Sequence, residues 1–124
     1  MSNQNKTSLE VGDDVAASVQ KTPNRVTLDS MKAKIKGVEF INPETIPHMT
    51  LAIVTLSNGF SLVGKSAPAD PENFDVETGK KFAKEDAIRQ MWPLEGYLLR
   101  EQLSEPTDVE RTDYGRKIEK PEEE

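Results

Sequence analysis

The sequence has no cysteine, one histidine and one tryptophan, and aromatic residues make up only 6% of it. Without cysteine there is no disulfide, no thiolate zinc site and no cysteine nucleophile. No apolar run approaches the roughly 18 residues of a membrane span. The polar opening Met1-Ser-Asn-Gln-Asn-Lys6 lacks the charged and apolar regions of a signal peptide, so a soluble intracellular protein is expected. An excess of basic residues is also missing. Sixteen Lys and Arg stand against 22 Asp and Glu, a net charge of −6, whereas a non-specific nucleic-acid binder needs surplus cations to displace phosphate counterions. What is present is a chain of 124 residues, room for one domain whose core can form without cross-links.

The charge is unevenly spread. Residues 1–26 are neutral, residues 27–103 carry −2, and residues 104–124 carry −4. The last stretch contains Pro106, Gly115 and Pro121, ends in Glu122-Glu123-Glu124, and offers only Val109, Tyr114 and Ile118 as apolar residues. Such a composition cannot bury enough surface to offset the entropy of ordering. The expected organisation is a flexible N-terminal segment (1–26), a single α+β domain (27–103) and a disordered acidic tail (104–124). Within the first segment, Leu9, Val11, Val15, Ala16 and Val19 suggest at most a weak, transient helix.

Leu28, Met31 and Ile35 recur at helical spacing behind the capping residue Thr27, and Gly37 offers a left-handed stop, which predicts a short amphipathic helix from 28 to 37. Val38–Asn42 reads as a short strand. Met49–Leu56 is β-branched and apolar on both parities, as in a strand covered on both faces. Asn58-Gly59 follows and then Phe60–Ser66, a hairpin signal. A two-residue loop would set Thr55 opposite Leu62 and Ile53 opposite Gly64. One face would then carry Leu51, Ile53, Phe60 and Leu62, the other Ala52, Val54, Leu56 and Val63. Asp75 caps a helix that begins at Val76 and runs to Leu103, kinked at Pro93, where the amide hydrogen is missing. Val76, Gly79, Ala83, Ala87, Met91, Leu94 and Leu98 share one face, whose small residues permit close approach to a sheet. Ile88, Trp92, Leu99 and Leu103 form a second, roughly opposite apolar face that needs cover of its own. The expected fold class is α+β: a short helix, a three-stranded antiparallel meander and a long C-terminal helix kinked at Pro93.

The combination of Leu56-Ser-Asn-Gly-Phe60, Gly64-Lys-Ser66, Asp70-Pro-Glu-Asn-Phe-Asp75, Gly79, Ala83, Ala87 and Trp92-Pro-Leu-Glu-Gly-Tyr-Leu98 resembles a family of small bacteriophage proteins, the gene-49/gene-66 product family. The resemblance covers roughly residues 35–103. It implies a phage or prophage gene and the cytoplasm of an infected bacterial host, and it supplies no catalytic residue. Members often carry a cysteine in or near the hairpin; this chain has none, so no role of such a cysteine transfers. The motif residues also have structural readings. Asn58, Gly59 and Phe60 make a hairpin, and Gly64 marks a bulge or close approach. Asp75 is a cap, Gly79 a packing position, Pro93 a kink, and Trp92 and Tyr97 anchor the kinked helix, with Glu95 as a cap for its second segment.

Nothing gathers into an enzyme site. His48 has no partner fixed by spacing, although Glu44 or the 66–75 loop is a candidate. Asp70, Glu72 and Asp75 lack the glycine and terminal glutamate of an EF-hand. Gly64-Lys65-Ser66 lies in a strand context, unlike a phosphate loop. No catalytic residue, cofactor or metal ligand is assigned. The expected function is that of a small phage accessory protein that binds another protein of host or phage, with Ile88, Trp92, Leu99 and Leu103 as the candidate partner interface. A homodimer through the long helix is one way to cover them. Two alternatives remain. One is a nucleic-acid-associated role through Lys80, Lys81, Lys84 and Arg89, extended by Lys32, Lys34 and Lys36. The other is an acidic inhibitor that mimics nucleic acid.

Overall fold

The computed structural model describes residues 6–104. The acidic tail expected over 104–124 lies outside them, apart from Ser104. Thr7 starts helix α1 (Ser8–Ser18) with reciprocal hydrogen bonds. Its hydroxyl accepts the Glu10 N–H at 3.1 Å, and the Glu10 carboxylate accepts the Thr7 N–H at 2.9 Å. Leu9 is buried in the core. The N-terminal segment expected to be flexible therefore holds a packed helix. One core leucine and one capping box suffice, and Asp13 ties the helix down further, as described below.

Thr27 caps α2 (Leu28–Lys32) by accepting the Ser30 N–H at 3.0 Å. This helix stops well short of the expected Gly37. Five residues scarcely nucleate a helix; burial of Leu28 and Met31 holds it. Ile35 instead opens strand β1 (Ile35–Ile41), and the Lys34 carbonyl accepts the Ser57 N–H at 2.8 Å. Strand pairing thus outcompetes another helical turn. Gly37 is no helix stop: it sits opposite Thr55, beside a register irregularity.

Strands β1, β2 (Thr50–Leu56) and β3 (Ser61–Ser66) form an antiparallel meander in the order β1-β2-β3. The hairpin register differs from expectation by one residue: Leu62 faces Val54 and Gly64 faces Ala52. The loop holds three residues, because Leu56 N–H donates to the Phe60 carbonyl at 2.8 Å. Gly59 is the one residue with positive φ among those described, at 93°. A two-residue turn of the mirror type needs positive φ at both positions, which Asn58 does not adopt. Instead the Asn58 side chain accepts the Phe60 N–H at 2.9 Å. A one-residue slip exchanges faces. Leu62 joins Ala52, Val54 and Leu56 on the helix-covered face, and Val63 joins Leu51 and Ile53 on a face that no described element covers.

Asp75 caps α3 (Val76–Arg89), accepting the Thr78 N–H at 2.9 Å. The helix lies on β2 and β3 through Gly79, Ala83 and Ala87, all buried. The approach is as close as their small size suggests. A Cβ on Gly64 would stand 2.1 Å from the Ala83 carbonyl oxygen and 2.4 Å from the Ala87 nitrogen. One on Gly79 would stand 2.6 Å from Thr50 Oγ1. Helix α4 (Met91–Ser104) continues α3, and the long C-terminal helix they form is bent by 24°. The break falls at Gln90, three residues before Pro93. Proline offers no N–H to the Arg89 carbonyl and crowds it, so the previous turn opens. Pro93 itself occupies the first turn of α4, where an amide hydrogen has no helical partner. The second apolar face is covered within the chain only in part: Ile88 is buried in one cluster with Leu9, Leu28 and Met31, Trp92 packs against that cluster, and Leu103 is exposed.

Candidate functional site

Three places have the shape or chemistry to engage something else: a groove between α1 and α4, a small hollow at the start of α3, and the free parts of the sheet.

The groove has a volume of about 650 Å³ and is lined by Leu9, Gly12 and Ala16 on one wall and by Trp92 and Gly96 on the other, with Arg25 and Arg89 alongside. Glycine keeps it open. A Cβ on Gly12 or Gly96 would meet nothing within 4 Å, so larger side chains there would project into free space. Trp92 packs against the core and is only partly buried. The two arginines differ. Arg25 Nη1 donates to Asp13 Oδ1 at 2.9 Å and its Nε to Gln20 Oε1 at 2.7 Å, so it is held. Asp13 Oδ1 also accepts the Leu28 N–H at 3.1 Å, joining α1 to α2. Burial pushes the Asp13 carboxyl up, but the hydrogen bonds from Arg25 and Leu28 and the arginine charge outweigh it and hold the group below its ordinary value. Arg89 donates to the Ser8 hydroxyl at 2.6 Å and forms no ion pair among the described residues.

The hollow at the start of α3 holds about 270 Å³ and gathers residues from separate parts of the family-like pattern, including Ser66, Asn73, Phe74, Asp75 and Gly79. The Asp75 carboxylate in its lining is occupied locally, as is that of Asp70 just outside it. Asp70 accepts the Glu72 N–H at 3.0 Å, and Asp75 serves Thr78, whose hydrogen bonds hold the Asp75 carboxyl below its ordinary value. The hollow is the joint that sets α3 on β3, with the Phe74 ring against Gly79.

The residues singled out in the sequence separate accordingly. Of the candidate interface, Ile88 is core, not surface; Trp92 and Leu99 are half-buried; Leu103 is exposed. Tyr97 is 71% exposed, so it does not anchor the helix. Glu95 is not a cap: its carboxylate pairs with Lys34 at 2.6 Å. His48 is half-buried and has no side-chain hydrogen bond among the described residues, and Glu44 does not reach it. Lys32 and Lys84 line one hollow, together with Glu85 and Ile35. Among the described residues no helix is long and apolar enough to cross a membrane. The groove itself escaped sequence reasoning, because α1 was not credited with a fixed position; the spacing of Leu9, Gly12 and Ala16 behind a capping box was the available signal.

Comparison with known families decides the relationship. The description of the phage protein (N4 Gp49/phage Sf6 gene 66) family matches residues 26–103, more than half of the chain. The chain belongs to this family. The N4 Gp49/Sf6 gene 66 match spans α2, the sheet, α3 and nearly all of α4, but leaves out α1, so one wall of the groove lies outside the family region. Neither the curated proteins nor the solved structures return a match.

Proposed function

We propose that this phage protein is not an enzyme and acts by binding another protein, of host or phage, in the groove between α1 and α4. The observation that carries the reading is the wall chemistry. A half-buried tryptophan and an arginine without a carboxylate partner among the described residues stand beside a trough kept open by Gly12, Ala16 and Gly96. Tryptophan and arginine dominate binding hot spots, because each offers a large desolvated contact with a polar handle. Small residues on both walls let a helix or extended segment lie deep between them.

The test is affinity capture from infected cells with the wild-type chain and with Gly12→Leu and Gly96→Leu, which fill the groove from opposite walls. Both glycines have open space beyond Cα, so both variants should fold. A partner recovered by the wild type and lost with both variants supports the reading. Equal recovery on all three chains refutes it.

A further inference from the structure

The two edges of the sheet are treated differently, and α3 is the cause. In an antiparallel strand the N–H and C=O of one residue point to the same side, and successive residues alternate. On β3 the Lys65 N–H donates to Asp86 Oδ2 at 2.9 Å, and the Val63 carbonyl accepts from Gln90 Nε2 at 2.8 Å. The odd-numbered residues of β3 therefore face outward, and two of their edge groups are sealed by side chains of the helix that covers the sheet. Leu62 and Gly64 face inward to Val54 and Ala52. Leu51, Ile53 and Thr55 of β2 must then turn to β1, where they meet Ile41, Glu39 and Gly37. That leaves Val38 and Phe40 with N–H and C=O pointing off the far edge. No side chain and no loop backbone among the described residues bonds to any of these four groups.

The surroundings of this open edge are cationic. Lys80 Nζ stands 5.6 Å from the centre of the Phe40 ring, on the helix side of the sheet. One turn further along α3, Lys84 lines a hollow together with Lys32 and Ile35. Lys36 lies exposed in β1 itself. Against these stand Glu85 in the same hollow as Lys84, and Glu39, which faces the uncovered side. The uncovered side next to the edge is mixed: Ile41 is exposed beside Glu39 and Gly37 on β1, and the apolar Leu51 and Ile53 lie beyond them on β2.

We infer that the β1 edge is a strand-addition site for an acidic extended segment of a partner protein, with carboxylates on the helix side and apolar side chains on the uncovered side. Added strands place alternate side chains on opposite faces. On the helix side they meet Lys80, Lys84 and Lys32; on the other they extend the Ile41, Leu51 and Ile53 surface past Glu39, whose charge disfavours a carboxylate on that side. Main-chain bonding to Val38 and Phe40 supplies the register. The same lysines act against a second copy of β1 at this edge, since edge lysines of both copies would be brought together. This surface is separate from the α1–α4 groove, so either can fail alone.

The experiment is amide hydrogen exchange followed by NMR on the full chain, with two short capped peptides as probes, one alternating glutamate with valine and one alternating lysine with valine. The glutamate peptide should slow exchange at Val38 and Phe40 by about tenfold or more, with the effect weakening in salt. The lysine peptide should leave both amides unchanged. Lys80→Glu with Lys84→Glu should abolish protection, while Arg89→Ala, in the groove, should not. Equal protection by both peptides overturns the charge argument. Protection that grows with protein concentration in the absence of peptide assigns the edge to a second copy, and protection already complete in the dilute full chain assigns it to the chain itself; each overturns the inference. So does a single-stranded oligonucleotide that shifts Lys80 and Lys84 while neither peptide protects Val38 or Phe40.

Discussion

Replacing Gly64 by alanine adds one methyl group where, among the described glycines, the space for it is smallest. The new Cβ would stand 2.1 Å from the Ala83 carbonyl oxygen and 2.4 Å from the Ala87 nitrogen, and both obstacles are backbone. Ordinary contact begins near 3.4 Å, so α3 must lift from β3 by roughly an ångström, enough to forfeit about a quarter to a half of the dispersion energy along the seam. Overpacking of this kind costs about 1–3 kcal/mol and occasionally more; a rigid helix backbone as the obstacle puts Gly64→Ala at about 3 kcal/mol. Relief from glycine's own entropic penalty returns no more than about 1 kcal/mol. A folded region of this size has about 5–15 kcal/mol in total, so the variant should fold but with a large deficit. Urea unfolding followed by the fluorescence of Trp92, the only tryptophan, should show the midpoint falling by about 2 M, with a slope near 1 kcal/mol per M. Gly37→Ala is the control, because a Cβ there meets nothing within 4 Å. Adding Ala87→Gly to Gly64→Ala removes the third obstacle, the Ala87 Cβ at 3.0 Å, but should rescue little, since the two nearer ones are backbone atoms. A midpoint for Gly64→Ala equal to that of the wild type would refute the reasoning, as would full rescue by Ala87→Gly.

Gly12→Ala and Gly96→Ala, each inside a helix with open space at Cβ, should each stabilise the protein by about 0.5–1 kcal/mol, read as higher urea midpoints; a lower midpoint would mean the helix or the groove is misplaced. Asp13 has a folded-state pKa below its ordinary value. Its contribution to stability is therefore complete above the ordinary carboxyl range and is lost as pH falls through the depressed folded value. Asp13→Asn should destabilise by about 1–2 kcal/mol at neutral pH and lose less further stability than the wild type on acidification below about pH 4; parallel pH curves for the two would exclude the Asp13–Arg25–Leu28 connection.

Much of this architecture was legible because particular residues have few other uses. Asp75 before Val76 could hardly be anything but a cap. Gly79, Ala83 and Ala87 at helical spacing announced a close helix–sheet seam, and Gly64 proved to be its other side. What was not legible depended on competition between local and distant partners. Asn58-Gly59 permits both a two-residue and a three-residue loop, and the choice, made by Leu56 and Phe60 across the hairpin, decides which face Leu62 and Val63 occupy. Ile35 fits a helical stripe and a strand equally well, and pairing with Leu56 decides it. The α1–α4 groove needs two helices far apart in sequence, and the free β1 edge needs the hydrogen-bond phase of all three strands, which no local pattern carries.

The sealing of β3 by Asp86 and Gln90 also sets a valence. A sheet with two open edges can add chains head to tail without limit, β1 of one to β3 of the next, and so grow into a fibre. Here that route is obstructed, because the incoming edge would have to displace the Asp86 carboxylate from Lys65 and the Gln90 amide from Val63. Strand addition at β1 would therefore not be matched by equally easy addition at β3. One edge can thus stay open for pairing while the other discourages growth of the sheet from copy to copy.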